Sequence, residues 1–279
     1  MNILLERSSF RYAVTGAAIL SILLGAREVT AAQSQGTAAG TDVPAVPFGA
    51  GERALYQVKL GAFTVGEGAM EVLGTERVNG HLTYHTRLSV EGGIPFARVD
   101  DTFESWIDVD GLFSRRFKQD QHEINYDRER VYDFYPDRGY YRRRDNGEIK
   151  PLPTDKPLDD VSFLFYARTL PLKVGETYEI ERYFKESGNP VVLKVVRKET
   201  IEVPAGKFNT IVVRPIIKTD GLFGEGGEAE IYFTDDSRRI MVQLTTKVPI
   251  VGSLNLYLKD YRPGEPLSRA TGSQAGPGK

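Results

Sequence analysis

Cysteine is absent from all 279 residues. That absence removes three readings together: a disulfide framework, thiolate catalysis or thiolate metal sites, and a lipid-modified N-terminal cysteine. Histidine occurs three times and tryptophan once, so imidazole chemistry has little to draw on. Charge of one sign is missing too. The 36 Lys and Arg against 38 Asp and Glu leave a net charge of −2, with the signs interspersed, so no broad basic face is offered to nucleic acid or to an anionic membrane. Without cross-links the chain must hold itself together by burial. With 41% hydrophobic residues, a chain of this size hides roughly 70% or more of its unfolded surface.

The one long apolar run, from Tyr12 to Gly25, follows Arg7 and Arg11 and ends in Val29-Thr30-Ala31-Ala32. It is too short to cross a bilayer comfortably, and its small residues suit signal peptidase, so residues 1–32 read as a secretory signal cleaved after Ala31 or Ala32. The expected location is the periplasm or cell envelope of a Gram-negative bacterium, without a lipid anchor and with no transmembrane segment after cleavage. Residues 33–47 and 264–279 are small and polar with little to bury, and read as a disordered leader and tail. A single β-rich domain is expected over 48–263.

Within it, short alternating segments follow one another. Asn79-Gly80 between two such runs is a hairpin signal, and Pro136-Asp137-Arg138-Gly139 marks a second hairpin carrying Tyr126, Tyr132, Phe134, Tyr135, Tyr140 and Tyr141. Val203-Pro204-Ala205-Gly206 has the proline and glycine positions of a type I turn. Pro151, Pro153 and Pro157 interrupt the pattern, and Asp159-Asp160 then precede Val161, Leu164, Phe165 and Arg168 at helical spacing. A helix is predicted over Asp159 to Thr169, apolar around most of its circumference and so packed against a sheet. The fold class is all-β and mainly antiparallel: a dozen or so strands curled into a barrel or sandwich-like body, with one main helix covering an open end or concave face.

Three motifs occur in a fixed order: Phe103-Glu104-Ser105-Trp106-Ile107-Asp108, then Val203-Pro204-Ala205-Gly206-Lys207-Phe208, then Phe233-Thr234-Asp235-Asp236-Ser237-Arg238-Arg239 with Gly252-Ser253. Together they resemble domain of unknown function family 3108 over roughly Phe48 to Tyr261. The resemblance implies an exported bacterial protein with one β-rich domain, and implies no activity and no catalytic residues. The chain departs from it at Met241, where similar chains commonly carry proline after the paired arginines.

The densest mixture of carboxylates and large apolar groups lies from Arg98 to Asp108. As a strand it puts Val99, Asp101, Phe103, Ser105 and Ile107 on one face and Asp100, Thr102, Glu104, Trp106 and Asp108 on the other. Successive acids on that second face stand about 13 Å apart, too far for a glycosidase pair. They are expected to meet Arg98, Arg115 or Arg116 in cross-strand ion pairs. His81 and His85 on a strand are likewise about 13 Å apart, too far to share one ion, and read as ordinary surface histidines. The loop Gly221 to Gly227 lacks the Lys-Ser or Lys-Thr of a phosphate loop, but its Leu222 and Phe223 match apolar tips at Ile94-Pro95-Phe96 and Pro249-Ile250-Val251. These would form an apolar rim if they converge.

No catalytic residue, metal site or cofactor emerges. The ligand-binding candidates are Asp100, Glu104, Trp106, Tyr132, Phe134, Phe96 and Phe223. The leading expectation is non-catalytic binding of an apolar or amphipathic envelope molecule, a lipid or glycan. The alternatives are a scaffold that meets another envelope protein, and an envelope polysaccharide hydrolase with Glu104 as its acid.

Overall fold

A computed structural model describes residues 45–94, 97–123, 126–216, 229–248 and 252–267, all within one unit, Asp42–Lys279. In chain order the strands are β1 (Arg53–Leu60), β2 (Phe63–Val78), β3 (His81–Ile94), β4 (Ala97–Asp108), β5 (Ser114–Glu123), β6 (Tyr126–Tyr135), β7 (Tyr140–Arg143) and β8 (Ile149–Pro151). Helix α1 (Asp160–Ala167) comes next. Then follow β9 (Thr177–Ile180), β10 (Val191–Val203), β11 (Gly206–Ile216), β12 (Glu230–Thr234), β13 (Met241–Val248) and β14 (Gly252–Arg262). The fold is mostly antiparallel β, as the alternating segments predict, but it is neither a closed barrel nor two packed sheets. All fourteen strands form one curled, unclosed sheet in which β1 and β14 pair at the centre, and β8 and β9 are the edges.

Local chemistry sets the hairpins. Asn79 and Gly80 both take positive φ, 49° and 86°, the combination a two-residue turn between twisted strands requires. The turn after β6 ends at Gly139, also left-handed at φ 70°. The departure at Met241 coincides with a register shift, since Tyr232 pairs with Gln243 but Phe233 with Met241.

The inner face of the sheet is lined by Tyr56, Tyr84, Phe103, Phe117, Tyr132 and Phe134, all buried, and α1 lies within the curl. Its N-terminus is fixed by Asp159, whose carboxylate accepts hydrogen bonds from the Val161 and Ser162 N–H groups and from the Ser105 hydroxyl of β4 at 2.6 Å. Ser162 Oγ accepts from the Asp159 N–H at 2.8 Å, completing a capping box. Its C-terminus is held by Arg168. The guanidinium donates to Glu52 Oε1 at 2.6 Å and to the carbonyls of Pro47 and Arg238 at 3.0 and 3.1 Å, beside the rings of Phe48 and Phe165.

Both side chains of the Glu52–Arg168 pair are buried, so removing one partner strands the other charge away from water. Glu52→Gln is expected to cost about 3 kcal/mol in urea unfolding, and adding Arg168→Met to recover much of that loss. Burial raises the Asp159 carboxyl from 3.8 to about 6, against hydrogen bonds from Ser105, Ser162 and Ser114. The folded state therefore binds a proton more readily than the unfolded chain, and stability from this group rises as pH falls through 6. Relative to Asp159→Asn, which keeps a capping oxygen, the wild type should gain on the order of 1 kcal/mol between pH 7.5 and 5.5, read from paired urea curves.

Candidate functional site

On the outer face, the register sets His85 opposite Trp106 and Trp106 opposite Arg116, while Arg87, Glu104 and Lys118 align in the next row. The His85 and Trp106 rings stack at 4.3 Å with an interplanar angle of 13°, and the Arg116 guanidinium lies 5.4 Å from the indole centroid. Trp106 Nε1 donates to Glu76 at 2.8 Å, and His85 Nε2 is 2.5 Å from Glu104 Oε2. This hydrogen bond holds the Glu104 carboxyl below its ordinary range, against the opposing effect of burial. A glycosidase acid needs the reverse, a carboxyl kept protonated, so the geometry disfavours Glu104 in that role.

The expected ion pairs form only in part. Asp108 meets Arg115 at 2.9 Å, but Glu104 takes His85, Arg116 turns to Asp133, and Arg98 turns to Glu91. His85 is thus the centre of a closed network rather than an ordinary surface histidine. Strand neighbours two residues apart carry complementary groups, and that can be known only once the partner strand is known. Asp100 is exposed and aligns with Glu91 and His122, away from the cluster.

Tyr132 and Phe134 do not present a binding face. They are 2% and 1% exposed and pack around Phe184, at ring distances of 5.2 and 5.4 Å. The aromatic hairpin fills the interior, because alternation turns these two rings inward and Phe184 arrives from the other half of the sheet. Phe96 and Phe223 lie outside the described residues, as do Leu222 and Pro249-Ile250-Val251.

A further opening lies elsewhere. A cleft of about 790 Å³ sits at the C-terminal end of α1. Val46, Pro47, Leu170, Tyr261, Pro263 and Pro266 supply apolar walls, and Glu52, Arg168, Asp235, Asp236, Arg238 and Arg239 supply charge. The turn after β12 is shaped by Asp236 Oδ1, which accepts from the Thr234 hydroxyl and from the N–H groups of Arg238 and Arg239. Each carboxylate has a cation: Glu52 with Arg168, Asp235 with Lys198 and Arg239, Asp236 with Arg238. Such a lining is suited to holding a molecule with both apolar and polar parts, and it offers no free base. The paired-arginine motif pointed to this turn, but nothing local ties it to Glu52 or Tyr261. A smaller pocket of about 310 Å³ lies between the turns at Asn79 and Asp137 and includes His81 and Arg115.

Among the described residues the fold is one curled, mostly antiparallel β sheet with one α-helix inside the curl. The chain belongs to the family described as "Protein of unknown function (DUF3108)", whose model matches residues 55–259. It is similar to a solved structure entitled "Crystal Structure of Beta-barrel-like Protein of Domain of Unknown Function DUF1849 from Brucella abortus", at 10% identity and a TM-score of 0.47, over 77% of this chain and 98% of that one. No curated protein matches the sequence. Among the described residues no helix is long and apolar enough to cross a membrane.

Glu104→Gln should lower stability by about 1–2 kcal/mol at pH 7, the scale of a hydrogen bond to a charged group. Because the folded carboxyl titrates below its unfolded value, the wild-type advantage is fully present above the unfolded carboxylate range and should be lost as pH falls through the lower folded value, seen by comparing urea midpoints at neutral and acid pH.

Proposed function

We propose that the chain is an exported, non-catalytic binding protein of the cell envelope that takes an amphipathic molecule, a lipid or a lipid-linked glycan, in the cleft at the end of α1. The observation that carries this reading is the cleft itself. Its volume of about 790 Å³ lies in the range of sites that enclose small ligands, and apolar walls face a charged turn. The interior is packed with the Phe117, Tyr132, Phe134 and Phe184 rings, so a surface cleft is the better place for a ligand than the core. The export signal read from residues 1–32 supports an envelope location.

A second reading, a scaffold for another envelope protein, is favoured by Phe63, which is 77% exposed where β1 turns into β2. The register puts the ends of β3 and of β13 at the same end of the sheet, since Gly66 pairs with Gly92 and Leu60 with both Phe63 and Leu254.

Native mass spectrometry of protein from the periplasmic fraction should show a chain shortened after Ala31 or Ala32 and carrying a bound amphiphile. Leu170→Glu places a charge in the apolar wall and should weaken binding of a dansylated undecanoic acid probe about tenfold or more while leaving the circular dichroism spectrum unchanged. An unshortened chain, or probe binding indifferent to Leu170→Glu, would sink the proposal.

A further inference from the structure

The turns that follow β2, β4 and β6 come out at one end of the sheet, because β2 to β7 are consecutive neighbours in it. Between them lies the pocket of about 310 Å³, whose walls include Asn79, His81, Arg115, Tyr135, Asp137 and Arg138. It shares no lining residue with the cleft at the end of α1.

Arg115 is the buried charge of this pocket, 7% exposed, and it is held rigidly. Asp108 Oδ2 accepts from Arg115 Nε at 2.9 Å, while Asp108 Oδ1 accepts from the Asp110 and Gly111 N–H groups at 3.0 and 2.9 Å. The Phe113 ring centroid lies 4.5 Å from the guanidinium carbon. These contacts engage one of the three guanidinium nitrogens. Among the described residues neither terminal nitrogen makes a hydrogen bond, and Nη1 stands 3.7 Å from Asp137 Oδ2 in the pocket wall. A buried arginine therefore brings an unsatisfied donor edge to a cavity, fixed in place before any ligand arrives.

The groups around that edge are mixed in kind and close to balanced in charge. Asn79 adds an amide at the left-handed turn position, φ 49°. His81 Nδ1 is 3.9 Å from Asp108 Oδ2, beyond hydrogen-bonding distance, and Asp137 is an exposed carboxylate. Arg138 is exposed, its guanidinium 6.0 Å from the Tyr135 centroid. Arg115 already stands between two carboxylates, Asp108 and Asp137, so an entering anion would meet Asp137 and find the charge of Arg115 largely spent. A neutral hydroxyl both donates and accepts, and can serve the arginine edge and the carboxylate together.

We propose that this pocket binds a saccharide, as a free sugar or the end of a glycan, with Arg115 Nη1 and Nη2 donating to its oxygens and Asp137 accepting from its hydroxyls. The volume lies at the lower end of small-ligand sites, a size for a sugar ring rather than an acyl chain. Half-buried Tyr135 supplies an aromatic wall for the C–H groups of the ring.

Saturation-transfer NMR and calorimetry on the purified protein test this with glucose, mannose, galactose and N-acetylglucosamine, and with acetate and inorganic phosphate as anions. At least one sugar should bind saturably. Arg115→Lys keeps a cation against Asp108 but removes the paired donors, and should weaken that binding tenfold or more. Asp137→Ala changes an exposed side chain, should leave the melting temperature unchanged and should weaken binding threefold or more, so the test stands even if Arg115→Lys folds poorly. Leu170→Glu should leave sugar affinity unchanged, which keeps this outcome distinct from that of the cleft. Absence of saturable binding by all four sugars, binding of an anion in their place, or sugar binding untouched by Asp137→Ala would each overturn the proposal.

Discussion

The fold depends on how one short helix is fastened at both ends inside a sheet that does not close. Eight residues of helix are too few to be stable alone, and an open sheet of fourteen strands has no continuous ring of hydrogen bonds to fix its curvature. The two problems solve each other. Asp159 binds the helix start to Ser105 on β4, and the Asp159 N–H reaches Ser114 on β5 at 3.2 Å. Arg168 binds its end to Glu52, just before β1, and to the turn after β12. Curvature is thereby set by a strut with polar ends and an apolar middle.

The backbone just before the helix adds a second tie. Pro157 accepts from the Ser114 N–H, while Leu158 forms a parallel bridge with Tyr183. One segment therefore touches both halves of the meander where its two edge strands fail to pair. Phe184 follows directly and enters the aromatic cluster of β5, β6 and β7. The interior is filled from both sides of the gap.

Much of the architecture was legible in the chain. Asn79-Gly80, the Pro136 to Gly139 turn and Pro204-Ala205 are local signals with local consequences, and each hairpin forms where its turn residues stand. The helix was legible for the same reason, with a capping aspartate followed by apolar residues at helical spacing. The faces of β4 were legible too, since alternation alone buries Phe103, Ser105 and Ile107 together. Partner identity was not. His85 gives no sign in sequence that it will stack on Trp106, and Tyr132 and Phe134 look like exposed aromatics until Phe184 is brought beside them.

What the sequence by itself determined was the kind of element at each position and which side chains share a face, because turn chemistry and the two-residue period of a strand act between near neighbours. Only the tertiary structure decided which way each face looks and what meets across it. Curling a single sheet brings Glu52 to Arg168 and Phe184 to Tyr132, pairs 116 and 52 positions apart, and no local pattern encodes a contact that depends on the curvature of the strands between.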